Sequence, residues 1–154
     1  MRTVKEMFQK CCFRARYHGL GAWARGVYYR LLGMEMVGKS WLGRGFHASW
    51  PQCVRIGAGC LLESGVIFKV DCRWTLMKRV VIGDGVFMGI GVELNINERV
   101  EIGNRCLIAS GCRLIDHDHG FERSGPIVSQ AGEVGGIVLG DDVWLGRTWW
   151  CCAA

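Results

Sequence analysis

The chain has 154 residues and a net charge of +5, and half of its residues are apolar. This length predicts a single domain with a short N-terminal appendage. No run reaches the ~18 uninterrupted apolar residues of a membrane-spanning helix. Lys10, Arg14 and Arg16 interrupt the first 21 residues, so we expect no signal peptide and a cytoplasmic location.

Residues 1–34 are predicted to form a basic helical segment. Residues 1–30 contain seven basic residues and one acid, a net charge of +6, so the rest of the chain sums to −1. We expect the glycines at positions 19 and 21 to interrupt the helix. The apolar residues of the first predicted face are Val4, Phe8, Cys11 and Ala15, and those of a second short face are Val27, Leu31 and Leu32.

Two roles are open for this basic segment. We expect it to cap the open end of the following repeat, with its charges in solvent. A basic amphipathic helix can also lie on an anionic membrane, so peripheral contact with the inner membrane face is an additional expectation. No nucleic-acid partner is expected, because the basic residues lack a recognisable groove-reading module.

From residue 35 to about 147, an aliphatic residue recurs at every sixth position and is often followed by glycine. A six-residue period predicts a parallel β-helix, an all-β fold in which three hexads form one coil of about 18 residues. The first positions of the hexads are Met36, Leu42, Ile56, Leu62, Ile82, Met88, Ile102, Ile108, Leu114, Leu139 and Leu145.

The fifth position of each hexad is small and apolar, which predicts that it packs inside the coil. Thiols in this position act as small hydrophobic groups, so the nine cysteines do not indicate a disulfide framework. They contain no Cys-x-x-Cys pair that would favour a zinc site. The fifth-position residues are Cys60, Val66, Val86, Val92, Cys106, Cys112 and Val143.

The coils are unequal in length. Ile56, Ile82, Ile102 and Leu139 are separated by 26, 20 and 37 residues, which leaves about 8, 2 and 19 extra residues to loop out. The longest insertion covers about 115–136. Inserted loops on a rigid scaffold are common places for binding and catalysis.

Four alternating polar residues, Asp116, His117, Asp118 and His119, stand at the start of this insertion. Histidine is suited to general-base chemistry because its unperturbed pKa is about 6.5. A carboxylate beside the histidine would fix the tautomer of its ring. It would also stabilise the imidazolium that forms when the ring takes a proton. Asp116 and Asp118 are local candidates for that role.

The chain resembles the hexapeptide-repeat acyltransferases over about residues 36–147. The resemblance rests on the Ile-Gly hexads, on Asp-His-Asp-His-Gly at 116–120, and on Gly-Asp-Asp-Val-Trp-Leu-Gly at 140–146. It is strongest to the O-acetyltransferases of bacterial surface and exopolysaccharide synthesis. It implies a left-handed parallel β-helix that transfers an acetyl group from acetyl-CoA to a sugar hydroxyl, without a resident metal. It also implies a homotrimer with active sites between subunits.

The resemblance also implies roles for particular residues. A gap-free count from Ile102 places His119 at the catalytic histidine, with His117 supporting it or facing the acceptor. Trp144 would lie near the acceptor pocket, and Gly146 of the same motif would belong to the CoA site. Other substrate-binding candidates are Asn95, one coil below the histidines, and the two aspartates, Asp116 and Asp118.

The end of the sequence departs from this family. Family members continue for two or more coils that form much of the CoA groove, whereas residues 148–154 carry tryptophans and cysteines that fit no hexad. We interpret these residues as an out-of-frame tail on a truncated enzyme, which leaves its activity open. A natural short paralogue is the alternative.

Two other functions remain open at this point. One is a non-catalytic β-helix that associates with homologues as a structural subunit. The other is a metalloenzyme of the γ-carbonic-anhydrase type, for which His117 and His119 supply two of three zinc ligands but no third histidine lies in a nearby coil.

Overall fold

The computed structural model describes residues 20–71, 75, 77–123, 125–146 and the backbone of 150–152. One α-helix, α1 (Leu20–Leu31), precedes a series of short strands. None of the helices in this described part is both long and apolar enough to span a bilayer. The strands are β1 (Glu35–Met36), β2 (Trp41–Leu42), β3 (His47–Ala48), β4 (Val54–Ile56), β5 (Leu61–Leu62), β6 (Ile67–Val70), β7 (Val80–Ile82), β8 (Phe87–Met88), β9 (Glu93–Ile96), β10 (Val100–Ile102), β11 (Leu107–Ile108), β12 (Arg113–Ile115), β13 (Ile137–Leu139), β14 (Trp144–Leu145) and β15 (Trp150–Cys152).

Every third strand belongs to the same parallel sheet. Sheet 1 has the order β1-β4-β7-β10-β13, sheet 2 contains β2, β5, β8, β11 and β14, and sheet 3 contains β3, β6, β9, β12 and β15. Each successive set of three strands is one coil, and coils 1 to 5 stack into a solenoid. The predicted all-β class, with parallel sheets and a short N-terminal helix, is confirmed.

The hexad positions form the core of the solenoid. Ile56 stands opposite Ile82, and Ile82 opposite Ile102, so each aliphatic residue packs on its counterpart in the next coil. The predicted fifth-position residues lie inside the coil, and only Val143 in coil 5 is partly exposed. Cys60 is buried and free, and burial raises the pKa of its thiol, as expected for a packing residue.

The corner between sheets 1 and 2 needs a left-handed residue in each coil. Gly59 and Gly85 adopt this conformation in coils 2 and 3 without a side-chain clash. Arg105 and Asp142 adopt it in coils 4 and 5, with φ of 57° and 58°. Their side chains form a two-point ion pair, with distances of 2.9 and 2.8 Å, which offsets part of the backbone strain.

Helix α1 lies on coil 1 through a face of mainly small residues. Its buried residues are Ala22, Gly26 and Tyr29. Of the predicted second face, Val27 and Leu31 share one side of α1, whereas Leu32 follows the end of the helix. Leu31 and Leu32 are exposed, so this face does not pack on coil 1. Small side chains let the helix backbone approach the strands closely, which bulky leucines would prevent. The predicted interruption at Gly21 is also wrong, since α1 includes that residue.

Three side chains of α1 bind carbonyl groups of coil 1. Arg25 Nε donates to Leu42 O at 2.9 Å, Tyr29 Oη to Phe46 O at 3.0 Å, and an Arg30 guanidinium nitrogen to Gly38 O at 2.6 Å. The Tyr29 ring also packs edge-on against Phe46, which packs on Phe68 inside the solenoid. Helix α1 therefore caps coil 1, as expected. The predicted face formed by Val4, Phe8, Cys11 and Ala15 lies outside the described residues.

The end of the chain continues the repeat further than its residue types suggest. The backbone of Trp150–Cys152 forms β15, which pairs in parallel with β12 and places Trp150 opposite Arg113. The expectation that residues 148–154 leave the repeat is therefore wrong for the backbone of these three. A parallel ladder is made by main-chain groups, and Trp150 follows Trp144 by one six-residue period.

Candidate functional site

All the extra residues of the long coils leave the solenoid at one corner. The connections from sheet 3 to sheet 1 comprise residues 49–53, 71–79, 97–99 and 116–136, whereas each link at the other two corners has four residues. This corner, the insertion corner, includes the predicted insertion. The histidine cluster, His117 and His119, follows β12 directly at this corner.

Asp116 anchors the insertion corner from inside. Its side chain has no exposed surface. Its carboxylate accepts hydrogen bonds from the backbone N–H groups of Asn97, Glu98 and Arg99, at 2.6, 2.7 and 2.9 Å. A buried carboxylate is stable only when it is hydrogen-bonded in this way. Direct contact with a substrate, one of the roles predicted for Asp116, is therefore excluded in this conformation.

The other role predicted for Asp116, orientation of a histidine, agrees with the geometry. Asp116 Oδ1 lies 3.1 Å from His117 Nδ1. The imidazole is mostly buried, with 14 % of its side chain exposed. A carboxylate partner favours the tautomer with the proton on Nδ1, which leaves a lone pair on Nε2. The pair Asp116–His117 thus has the chemical form of an oriented general base.

His119 lies beside this pair in a different environment. Its ring centroid is 6.3 Å from that of His117, with the two ring planes nearly perpendicular. His119 is exposed and lines a cleft of about 500 Å³ formed by the insertion itself. The structure brings the two predicted histidines together, one held by a carboxylate and the other open to solvent.

Main-chain contacts close the base of the insertion. Asp118 N donates to Glu133 O at 2.9 Å, and Gly135 N donates to Asp116 O at 2.9 Å. A Cβ atom on Gly132 would overlap the carbonyl oxygen of Asp118. Glycine is therefore required for the two arms of the loop to approach each other.

Gln130 closes the outer part of the insertion. Its amide Nε2 donates to Glu122 O at 2.7 Å and to Gly125 O at 2.8 Å, and its Oε1 accepts the Glu122 N–H at 2.7 Å. The sequence reasoning missed Gln130 and also Glu122 and Glu133, which line the cleft. These residues follow no repeat, so the sequence contains no signal that identifies them.

The polar lining of the cleft is mainly acidic. Asp118, Glu122 and Glu133 lie around it with His119, and no lysine or arginine is among its lining residues. The Asp118 carboxylate accepts the His119 backbone N–H at 2.7 Å. Such a surface suits neutral groups that donate hydrogen bonds, such as sugar hydroxyls.

Asn95 lies one coil below the histidines, as the sequence predicts. It stands in register with Ile115, two residues before His117, and its backbone carbonyl accepts the Asp116 N–H at 3.3 Å. The neighbouring position in coil 2 is Lys69. Asn95 therefore remains a candidate substrate-binding residue at the border of the site.

Trp144 and Gly146 lie apart from the histidines within one chain. Trp144 is on β14 of sheet 2, in register with Leu107, and sheet 2 faces away from the insertion corner. Gly146 begins the next link and accepts a hydrogen bond from Cys112 Sγ at 2.9 Å. Neither residue lines the cleft. Their predicted roles at this site would require a second subunit.

The residues that the structure describes contain no group of three or more His, Cys, Asp or Glu side chains arranged to hold a metal ion. His47, the other described histidine, is on β3 in coil 1, whereas His117 follows β12 in coil 4.

Sheet 2 carries an apolar row along its outer surface. One residue from each coil contributes to it, and Trp144 at its end is 74 % exposed. The equivalent outer row of sheet 1 contains three charged residues, Glu35, Arg55 and Glu101. In register, the apolar row consists of Trp41, Leu61, Phe87, Leu107 and Trp144.

No protein-family model, curated protein or solved structure matches this chain.

Proposed function

We propose that the chain is an O-acetyltransferase that transfers an acetyl group from acetyl-CoA to a sugar hydroxyl in the synthesis of a surface polysaccharide or exopolysaccharide. The observation that carries this proposal is the buried Asp116 carboxylate bonded to His117 at the insertion corner. The resemblance of the hexads and of the Asp-His-Asp-His-Gly motif to polysaccharide O-acetyltransferases supports the choice of reaction.

In the proposed reaction, His117 acts as the general base. Its Nε2 takes the proton of the acceptor hydroxyl while the hydroxyl oxygen attacks the thioester carbonyl carbon. The carbon–sulfur bond then breaks, and the CoA sulfur leaves with the proton from the imidazolium. The Asp116 carboxylate stabilises that imidazolium. A positioned base of this kind accelerates a reaction by about 10²–10⁴-fold.

The contact with Asp116 favours His117 over His119 as the base, although the resemblance aligns His119 with the catalytic histidine and, of the two, it is His119 that lines the cleft. Only His117 has a carboxylate against its ring. We assign to His119 the positioning of the acceptor, since it lines the cleft together with Asp118, Glu122 and Glu133. These carboxylates would accept hydrogen bonds from other hydroxyls of the sugar.

The proposal includes a homotrimer with acetyl-CoA bound between subunits. The apolar row of sheet 2 favours self-association, because a continuous apolar surface is costly to expose to water. A neighbouring subunit could then bring its Trp144 and Gly146 to the insertion corner, which they do not reach within one chain.

The test is acetyl transfer from acetyl-CoA to a panel of neutral sugars, measured as release of free CoA. His117→Ala should lower kcat/KM by about 10²–10⁴-fold, and His119→Ala should mainly raise KM. His47→Ala is the matched control, since His47 is an exposed histidine in coil 1. Full activity in His117→Ala with loss in His119→Ala would move the base to His119. No transfer and no acetyl-CoA binding by the wild-type chain would refute the proposal.

A second candidate is a non-catalytic subunit that associates with other β-helix chains. The exposure of Leu107 and Trp144 in the apolar row and the separation of Trp144 from the histidines favour it. Titration of the chain with acetyl-CoA distinguishes the two candidates. Stable self-association of the chain, with no heat of acetyl-CoA binding in the titration, would support its role as a structural subunit.

A further inference from the structure

Helix α1 has two opposite faces, and the solenoid uses only one of them. Ala22, Gly26 and Tyr29 recur at helical spacing and lie buried on coil 1. The arginines of α1 also point to this side, since Arg25 and Arg30 donate to carbonyl groups of coil 1. The fold of the solenoid therefore accounts for the buried face and for both charges of the helix.

The opposite face of α1 is apolar and mostly exposed, with Val27 partly buried. Leu20, Trp23, Val27 and Leu31 follow one another at spacings of three and four residues and so share one side of the helix. Leu20 is 87 % exposed, Trp23 69 % and Leu31 81 %. We call these four residues the outer face of α1. Capping coil 1 does not require it, because its side chains point away from the strands.

A basic aromatic groove lies beside the outer face. Trp23 and Trp41 flank it, and Arg30 and Lys39 are its charged residues. Its other lining residues are small, and no acidic side chain is among them. Tryptophan is enriched where proteins meet the headgroup layer of a bilayer, and cationic side chains attract anionic headgroups.

The sequence before α1 is also basic. Residues 1–19 contain five basic residues and one acid, Glu6, and α1 itself contains no acid. Along the sequence, the positive charge of the chain is thus concentrated in residues 1–30, whereas residues 31–154 sum to −1. An exposed apolar helix face beside excess positive charge is the combination that binds an anionic bilayer surface.

We propose that the outer face of α1 docks the protein on an anionic lipid bilayer. Leu20, Trp23, Val27 and Leu31 enter the headgroup boundary, and Lys39, which lines the groove with Trp23, contacts anionic headgroups. The acetyl-transfer proposal is independent of this one, because α1 lies on coil 1 and the histidine corner on coil 4.

The test is cosedimentation of the full chain with vesicles of phosphatidylcholine alone and with vesicles that also contain phosphatidylglycerol. The wild type should bind the mixed vesicles, and high salt should weaken binding. Leu31→Glu and Leu20→Glu should each weaken it by about tenfold or more, since burial of one leucine side chain corresponds to roughly that factor.

Val138→Glu is the matched control. Val138 is 73 % exposed on β13, in the last coil, so the substitution adds the same charge far from α1 and should leave vesicle binding unchanged. Equal binding of the wild type to both vesicle types, or unchanged binding by both leucine variants, would overturn the proposal. A lower unfolding temperature or a smaller oligomer in the leucine variants would also overturn it, because the outer face would then pack against protein.

Discussion

The coil interior and the insertion at 116–136 follow opposite rules. Inside the coils, apolar residues of one hexad period pack on their counterparts in the next coil and are fully buried. The insertion is mostly exposed and is held by a few contacts, those of Asp116, Gln130 and Gly132. Stability is therefore distributed over the whole solenoid, whereas the proposed chemistry depends on single residues. Asp116 belongs to both regions, because it is buried in the solenoid and contacts His117.

A core substitution should produce the largest loss of stability. Leu94 is fully buried on β9, and Leu94→Ala should lower the free energy of unfolding by about 2–5 kcal/mol through lost burial and a residual cavity. Thermal denaturation should show an unfolding temperature lower by about 2–4 °C for each kcal/mol. Val138→Ala is the matched control, since Val138 is 73 % exposed on sheet 1 and lies outside the apolar row of sheet 2. Equal effects of the two substitutions would contradict the assignment of the core.

Asp116→Asn should have a smaller effect on stability and a large one on activity. The amide would turn an NH₂ group toward backbone N–H donors at 97–99, at a cost of about 1–3 kcal/mol. It would also remove the charge that stabilises the His117 imidazolium. Urea unfolding measures the first effect, and CoA release by the folded variant measures the second. Full activity in a folded Asp116→Asn protein would exclude the positioning role.

Gln130→Ala should act only on the insertion. It removes three hydrogen bonds within the loop, so we expect faster cleavage by protease between Gly120 and Gly136 and a higher KM for the acceptor. The global unfolding temperature should change little, because the side chain contacts no coil residue through these bonds. Val128→Ala, at a position 94 % exposed in the same loop, should leave protease cleavage unchanged.

The smallest expected effect on stability comes from loss of the ion pair at the corner between sheets 1 and 2. Arg105 beside Asp142 lowers the pKa of that carboxyl below its ordinary value of 3.8. A lowered pKa means that the ionised carboxylate stabilises the folded state above pH 3.8 and that this contribution is lost as the pH falls through the native pKa. The unfolding temperatures of the wild type and Asp142→Asn should differ slightly at pH 7 and converge at strongly acidic pH. Both residues are exposed, so added salt should reduce the difference.

The sequence predicts the solenoid well because its period is local. Ile56, Ile82 and Ile102 identify the stacked positions, and the unequal distances between them locate the insertions. The role of Asp116 could not be predicted from this local period. Its partners at 97–99 lie in an earlier connection, and only the stacking of coils brings them to its carboxylate.

Trp144 and α1 show two other limits of the sequence. The family motif suggests a role for Trp144 near an acceptor, but the position of β14 in sheet 2 separates it from the histidines of the same chain. In α1, hydrophobicity groups Val27 with Leu31 and Leu32 as one apolar face. The buried face instead consists of Ala22, Gly26 and Tyr29, because close packing on coil 1 depends on side-chain size.

The concentration of extra residues at one corner gives the fold a single edge that tolerates changes in length. The connections at 71–79, 97–99 and 116–136 differ in length, yet the three sheets keep one register. A peptide grafted into the connection at 97–99 would project beside the histidines without shifting any strand, provided that its N–H groups still meet Asp116. One coil scaffold could thus present many different loops, and new specificities could arise along this edge without redesign of the core.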